Sequence, residues 1–204
     1  KLFTLSKKGV VNFDDEGGKK IVAKAECPDI IKAGMGEDCN LRAENIKSSS
    51  AGSEFDLIYN GQKYHASIMI PGRFNVYNAI CAAGAALQAG IDIQTVISGL
   101  AKATGVVGRV EVVPVNKEYT VIIDYAHTPD ALENLLDTVC RIRSCDQRVV
   151  LLFGCGGDRD KSKRAAMGRI ASRCADFTVV TSDNCRGEEP LEIIKDILRG
   201  IAPE

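Results

Sequence analysis

Apolar spacing divides the chain into two halves. From residue 1 to about Ser67 the apolar runs are short and broken by turn residues. Gly9-Val10-Val11-Asn12-Phe13 reads as a buried strand stopped by Asp14-Asp15. Residues 55–59 and 63–68 flank Asn60-Gly61, the dipeptide suited to the type I′ turn of a hairpin. Two helices are expected next. Residues 73–90 carry Val76, Ile80, Ala83 and Leu87 on one stripe, and Ile93, Val96, Ile97 and Leu100 mark the second. The loop from Ala103 to Gly108 separates the halves.

Beyond that loop, strand and helix patterns alternate. Val121-Ile122-Ile123 is a strand, and Thr128-Pro129 opens a helix, with Thr as N-cap and Pro at the first helical position. Leu132, Leu135, Leu136 and Val139 form its apolar face. A strand over 149–153 leads to a helix with Ala166, Met167, Ile170, Ala171 and Cys174 inward. Residues 178–180 are a further strand, and Leu191, Ile194, Leu198 and Ile201 line the last helix. Nearly continuous apolar strands alternating with helices predict an α/β fold with a parallel, doubly wound sheet. Such sheets usually hold more strands than this half supplies, so the chain is expected to stop short of a complete one.

Composition narrows the function classes. The 204 residues are 45% hydrophobic and 26% charged, with 26 Lys and Arg against 27 Asp and Glu. That balance points away from nucleic acid and anionic lipid. The longest apolar runs are strand-sized, far below the roughly 18–20 residues of a membrane span. Residues 1–8 lack the apolar core of a signal peptide. The eight cysteines include no CxxC pair and no His at ligand spacing, so they read as reduced thiols of a cytoplasmic protein rather than a metal site.

In an open α/β sheet, ligands bind beyond the carboxyl ends of the strands. Three polar segments fall there: Asp124 to His127, Gly154 to Lys163, and Asp183 to Arg186. The second segment fails both familiar motifs. Lys161 follows Asp160 rather than the Gly of a Walker A loop, and Arg159 stands where GxGxxG needs its third Gly. It reads either as a Gly-rich cradle for an anion, with Arg159 gripping a carboxylate or phosphate, or as a tight turn with solvated charges. Asp183, Asn184 and Arg186 suit recognition of a zwitterion, or else form an Asx turn before the Glu188-Glu189-Pro190 helix start. His127 reads as a ligand contact and His65 as structural. Lys161, Lys163, Arg164, Arg169 and Arg173 read as a solvated helix face.

Several of these stretches occur together in a recognisable order. Residues 72–79 (GRFNVYNA), 108–111 (GRVE), 124–132 (DYAHTPDAL), 154–161 (GCGGDRDK) and 183–186 (DNCR) resemble MurE-type Mur ligases, as do 12–15 (NFDD) and 41–46 (LRAENI). The resemblance spans essentially the whole chain. It implies that residues 1–108 are the back part of a central ATPase domain, and 109–204 the front part of a Rossmann-like C-terminal domain.

The resemblance also implies roles. Asn75 and Asn78 would face the adenine side of ATP, Arg109 would reach its phosphates, and Asp124 would hold the ribose, with His127 in the same motif. Arg159, Asn184 and Arg186, with Asp183 beside them, would bind the incoming amino acid. The implied reaction adds meso-diaminopimelate, or alternatively L-lysine, to UDP-MurNAc-L-Ala-D-Glu with ATP and Mg2+, in a cytoplasmic monomer. The family's phosphate-loop lysine, magnesium-binding acid and carbamylated lysine would precede Lys1, which is not that lysine, so the chain alone is expected to be inactive and to hold no metal ligand. Cys185 departs from the Pro usual in diaminopimelate-adding members. Arg186, suited to that substrate's distal carboxylate, is retained. Two other readings stand beside this one: a MurE-like scaffold without catalysis, and an NAD(P)-dependent oxidoreductase.

Overall fold

The computed structural model describes residues 2–201. Lys1, set apart above from the carbamylated lysine, lies outside them. The chain forms two compact units. One comprises the residues up to Val107 with Glu111–Val121, the other Gly108–Val110 with the residues from Ile122 onward.

The first unit opens with a short helix, α1 (Leu2–Leu5), and strand β1 (Lys8–Asn12). Helix α2 (Glu16–Lys24) follows, N-capped by the Asp15 carboxylate, which accepts the Gly18 N–H at 3.0 Å. The apolar pattern missed this helix because two glycines and three lysines obscure its stripe. Strands β2 (Asp29–Gly34), β3 (Leu41–Ser49), β4 (Gly52–Tyr59) and β5 (Gln62–Ile68) complete a five-stranded sheet in sequence order. β1, β2 and β3 run parallel, while β3, β4 and β5 are antiparallel. The β4–β5 turn has φ 51° at Asn60 and 75° at Gly61, the two positive angles that a type I′ hairpin requires. Helices α3 (Arg73–Gln88) and α4 (Ile93–Ala101) cover the sheet, burying Val76, Ile80, Ala83 and Val96 against Leu41, Phe55 and Leu57.

β2 and β3 are parallel yet joined by residues 35–40 alone, whereas parallel neighbours usually need a crossover of a dozen or more residues. Asp14 secures this tight connection. Its carboxylate accepts the N–H groups of Met35 at 2.7 Å and Gly36 at 3.1 Å, and the Tyr77 hydroxyl at 2.7 Å.

Strand β6 (Glu111–Val113) precedes β7 (Val121–Ile123), helix α5 (Pro129–Ile142), strand β8 (Val150–Phe153), helix α6 (Ser162–Cys174), strand β9 (Phe177–Val180) and helix α7 (Pro190–Leu198). Thr128 caps α5 by accepting the Ala131 N–H, with Pro129 at the first position. In the second unit β8 and β9 form a parallel ladder, and Leu132, Leu136, Leu151, Met167, Ile193 and Ile197 form the core. Val150, Leu152, Phe177 and Val179 face away from that core and are exposed.

Two expectations are corrected. The ladder described has two strands rather than three: β7 is not bonded into it, and the chain turns at once after β7, where Asp124 accepts the Ala126 N–H. The buried face of α7 is Ile193 and Ile197, not the stripe of Leu191 and Leu198, which are 61% and 47% exposed. Close backbone approach to α6 sets this rotation. A Cβ on Gly168 would lie 2.2 Å from the Ile197 carbonyl oxygen, and one on Gly200 would lie 1.8 Å from that of Ala165.

Candidate functional site

The loops at the carboxyl ends of β7, β8 and β9 meet around a cleft of about 780 Å³ in the second unit. Residues 124–127, 152–156 and 181–184 line it, with Arg159, Lys163 and Arg186. The three polar segments singled out by strand position therefore share one concavity. Arg159, Lys163 and Arg186 supply positive charge, and Asp124 and Asp183 negative, a mixture that suits a ligand carrying both signs.

Local bonding fixes the rim. The Gly157 N–H donates to the Asn184 carbonyl oxygen at 2.9 Å, and Arg186 Nη1 donates to the Gly157 carbonyl oxygen at 2.6 Å. A Cβ on Gly157 would sit 1.9 Å from the Cys185 carbonyl oxygen, so only glycine allows the two loops this close. Cys185 donates its thiol to the Asp183 carbonyl oxygen at 3.1 Å. Arg186 has φ 49° and Asp158 φ 52°, both left-handed and unusual outside glycine.

On the β7 side, Asp124 Oδ1 accepts the Ala126 N–H at 2.7 Å and Oδ2 the Val110 N–H at 2.8 Å. The Arg109 guanidinium lies 5.0 Å from the Tyr125 ring centroid, within cation–π range. His127 Nδ1 is 3.0 Å from the Tyr125 carbonyl oxygen, and Lys163 Nζ donates to the His127 carbonyl oxygen at 2.6 Å.

Asn75 and Asn78 lie in the first unit, on α3. Asn75 is buried and donates Nδ2 to the Pro71 carbonyl oxygen at 2.8 Å, while its Oδ1 accepts Asn78 Nδ2 at 3.2 Å. Asn78 itself is exposed.

The solvated-face reading of the basic residues holds for the exposed Lys161, Arg169 and Arg173 but not for the two others. Lys163 lines the cleft, and Arg164 is buried at 1% exposure. Position was the signal available for Lys163: the first helical turn after the β8 loop lies at the strand's carboxyl edge, where ligands bind. Arg164 carried no such signal, because its carboxylate partners, Glu188 and Asp196, are remote in sequence. All eight cysteines are free thiols. Among the described residues no group of three or more His, Cys, Asp or Glu converges on a metal position, and no helix is long and apolar enough to cross a membrane.

Comparison with known proteins decides the family. Residues 1–86 match the Mur ligase middle domain, and residues 108–203 match the Mur ligase glutamate ligase domain. This chain belongs to the Mur ligase family. The UDP-N-acetylmuramoyl-L-alanyl-D-glutamate–2,6-diaminopimelate ligase 1 of Clostridium acetobutylicum is 47% identical over 98% of the chain, and the corresponding ligase of Clostridium botulinum is 43% identical over 98%. The chain spans 41% of the length of each of these relatives. Among solved structures, a UDP-N-acetylmuramoyl-L-alanyl-D-glutamate–2,6-diaminopimelate ligase superposes at TM-score 0.66 with 34% identity, covering 98% of this chain and 42% of that one. MurF from Acinetobacter baumannii superposes at TM-score 0.76 with 19% identity, over 95% and 41%, which speaks for the fold alone.

Proposed function

We propose that the complete protein carrying this Mur ligase chain joins meso-diaminopimelate to UDP-MurNAc-L-Ala-D-Glu, using ATP, in cytoplasmic peptidoglycan precursor synthesis, as a monomer. The observation that carries the reading is the cleft that gathers Arg159, Asp183, Asn184 and Arg186 in the unit matched by the glutamate ligase domain. The identity to ligases named for 2,6-diaminopimelate supports it. In this reading residues 1–108 are the back part of the central ATP-binding domain, and residues 109–204 the front part of the C-terminal domain.

The chemistry is the one that the resemblance to MurE-type ligases implies. ATP transfers its γ-phosphoryl group to the free D-Glu carboxylate, leaving ADP and an acyl phosphate. The amine of the third residue then attacks the acyl carbon, loses a proton and expels phosphate. Arg159 and Arg186 present planar guanidinium forks to carboxylates of the incoming amino acid, while Asp183 and the Asn184 side chain accept from its ammonium groups. A diaminopimelate carries a carboxylate at each end, and Arg186 is the residue assigned to the distal one. Asn75 and Asn78 bind the adenine side of ATP, Arg109 its phosphates and Asp124 the ribose, with His127 beside the nucleotide. Magnesium, when bound, would neutralise phosphate charge; the described residues hold no group of three or more His, Cys, Asp or Glu that could ligate it.

The test is phosphate release by the complete enzyme with ATP, UDP-MurNAc-L-Ala-D-Glu and either meso-diaminopimelate or L-lysine. Release with diaminopimelate alone is expected. Release with lysine alone overturns the specificity, and a folded, ATP-binding protein that releases none with either is a scaffold.

A further inference from the structure

Among the described residues Arg164 is the only charged side chain that is buried, at 1% exposure in the first turn of α6. Its guanidinium forks onto Glu188: Nη2 donates to Oε1 at 2.8 Å and Nη1 to Oε2 at 3.0 Å. Nη1 also donates to Asp196 Oδ2 on α7 at 3.0 Å. Glu188 accepts two further bonds, from the Asp158 N–H at 2.7 Å and from Lys161 Nζ at 3.0 Å. One carboxylate thus joins the start of α6, the Gly-rich loop and the loop that carries Arg186.

Burying a guanidinium opposes folding, and an apolar side chain of similar volume would often pack two helices at least as well. Here the Nε–H even lacks a partner, so the arrangement is not the one that stability alone would favour. What the fork adds is geometry, since it holds a carboxylate in a fixed plane. That carboxylate holds one strained residue of the rim, Asp158, directly, and through the Asp158–Gly187 contact it bears on the turn of the other, Arg186. Asp158 is clamped from both sides: its N–H rests on Glu188, and its Oδ2 accepts the Gly187 N–H at 3.0 Å. The turn containing Arg186 closes when the Glu188 N–H donates to the Cys185 carbonyl oxygen at 3.0 Å. Left-handed non-glycine residues persist only where their surroundings over-determine them. Arg159 follows the first of these residues, and Arg186 is the second.

We propose that Arg164 and Glu188 are positioning residues of the amino-acid site, setting the spacing of Arg159 from Asn184 and Arg186 and thereby selecting an amino acid with a second carboxylate. Neither residue lines the cleft. The proposal rests on the ligase reading above. Arg164, Lys161 and the Asp158 N–H hold the Glu188 carboxyl down to about 2, so the pair stays charged throughout the neutral range.

The test uses the complete enzyme with Glu188→Gln, Arg164→Lys and, as comparator, Asp196→Asn, which loosens the same arginine on the side away from the loops. Glu188→Gln is expected to raise KM for diaminopimelate about tenfold or more, with kcat and the KM values for ATP and the nucleotide substrate within about twofold, and to lower the preference over lysine. Arg164→Lys, which keeps the charge but not the fork, should fall between. Asp196→Asn should lower Tm and leave KM for diaminopimelate unchanged. Loss of Tm by Glu188→Gln with every KM unchanged overturns the proposal, as does a rise in all three KM values together or an equal rise in Asp196→Asn. Should Glu188→Gln fail to fold, Arg164→Lys decides on the same readouts. A wild-type enzyme inactive with both amino acids removes the ligase reading and the proposal with it, whereas an active wild type with indifferent variants removes the proposal alone.

Discussion

The backbone N–H of Val110 donates to Asp124 Oδ2 at 2.8 Å, tying the segment 108–110 to the end of β7. Val110 has φ 45°, a conformation a β-branched residue adopts only under constraint. Its neighbour Arg109 lies over Tyr125, the residue after Asp124. The acid assigned to the ribose therefore also holds in place the arginine assigned to the phosphates.

Asp124→Ala frees two N–H groups and releases that constraint. A loss of about 1–3 kcal/mol in stability is expected, measured as a shift in the urea midpoint of the complete protein. KM for ATP should rise about tenfold, and KM for diaminopimelate much less. An Asp124→Ala enzyme with an unchanged KM for ATP would contradict the assignment of both residues to the nucleotide.

Arg186→Ala removes a guanidinium fork from the cleft rim. A charged hydrogen bond contributes about 1.5–3 kcal/mol, so KM for diaminopimelate should rise by roughly tenfold to a hundredfold. Lysine, lacking the distal carboxylate, should be little affected. Steady-state kinetics with each amino acid in turn checks this, and equal losses for both would assign Arg186 to the shared α-carboxylate instead.

Asp14 makes the first unit sensitive to acid. Partial burial raises its carboxyl pKa, but the Met35 and Gly36 N–H groups, the Tyr77 hydroxyl and the Cys39 thiol outweigh that and hold it below the usual value of 3.8. A folded-state pKa below the unfolded one contributes stability that is complete above the unfolded value and is lost as pH falls through the folded value. Asp14→Asn should therefore flatten the stability curve below about pH 4. At neutral pH it should cost about 1–2 kcal/mol. Urea midpoints across an acid series measure both effects. The Cys39 thiol beside it is pushed up to about 11 by its own burial and the Asp14 charge, so it should resist alkylation in the folded protein at neutral pH.

Gly168→Ala places a methyl group 2.2 Å from the Ile197 carbonyl oxygen and must part α6 from α7. A cost of about 1–3 kcal/mol is expected, read in the urea midpoint. The shift should also loosen Asp196 from Arg164, so amide exchange along α7 should accelerate. Unchanged exchange would place the strain elsewhere.

Much of the local structure was legible from the chain. The turn at Asn60-Gly61 follows from the two positive φ angles that this dipeptide tolerates, and the start of α5 from the Thr128 cap and the fixed φ of Pro129. The polar segments after β7, β8 and β9 were legible because each follows an apolar strand at once, although only β8 and β9 share a ladder. Helix α2 was missed because its glycines dilute the helical period, and its stabilising contact is the Asp15 cap rather than an apolar stripe.

The sequence by itself determined the β4–β5 hairpin, helices α3 and α4, the alternation of strands and helices from β7 onward, the α/β class and the residues available at the cleft, since these depend on propensity and on periods of two and 3.6 positions. Tertiary structure decided which faces of those elements are used. The rotation of α7 is set by backbone contact at Gly168 and Gly200, and Ile193 and Ile197 are buried in place of Leu191 and Leu198. Arg164 is buried because Glu188 and Asp196 reach it from 24 and 32 positions away. Hydrophobic periodicity reports only near neighbours along the chain, and both outcomes are fixed by partners that only folding brings together.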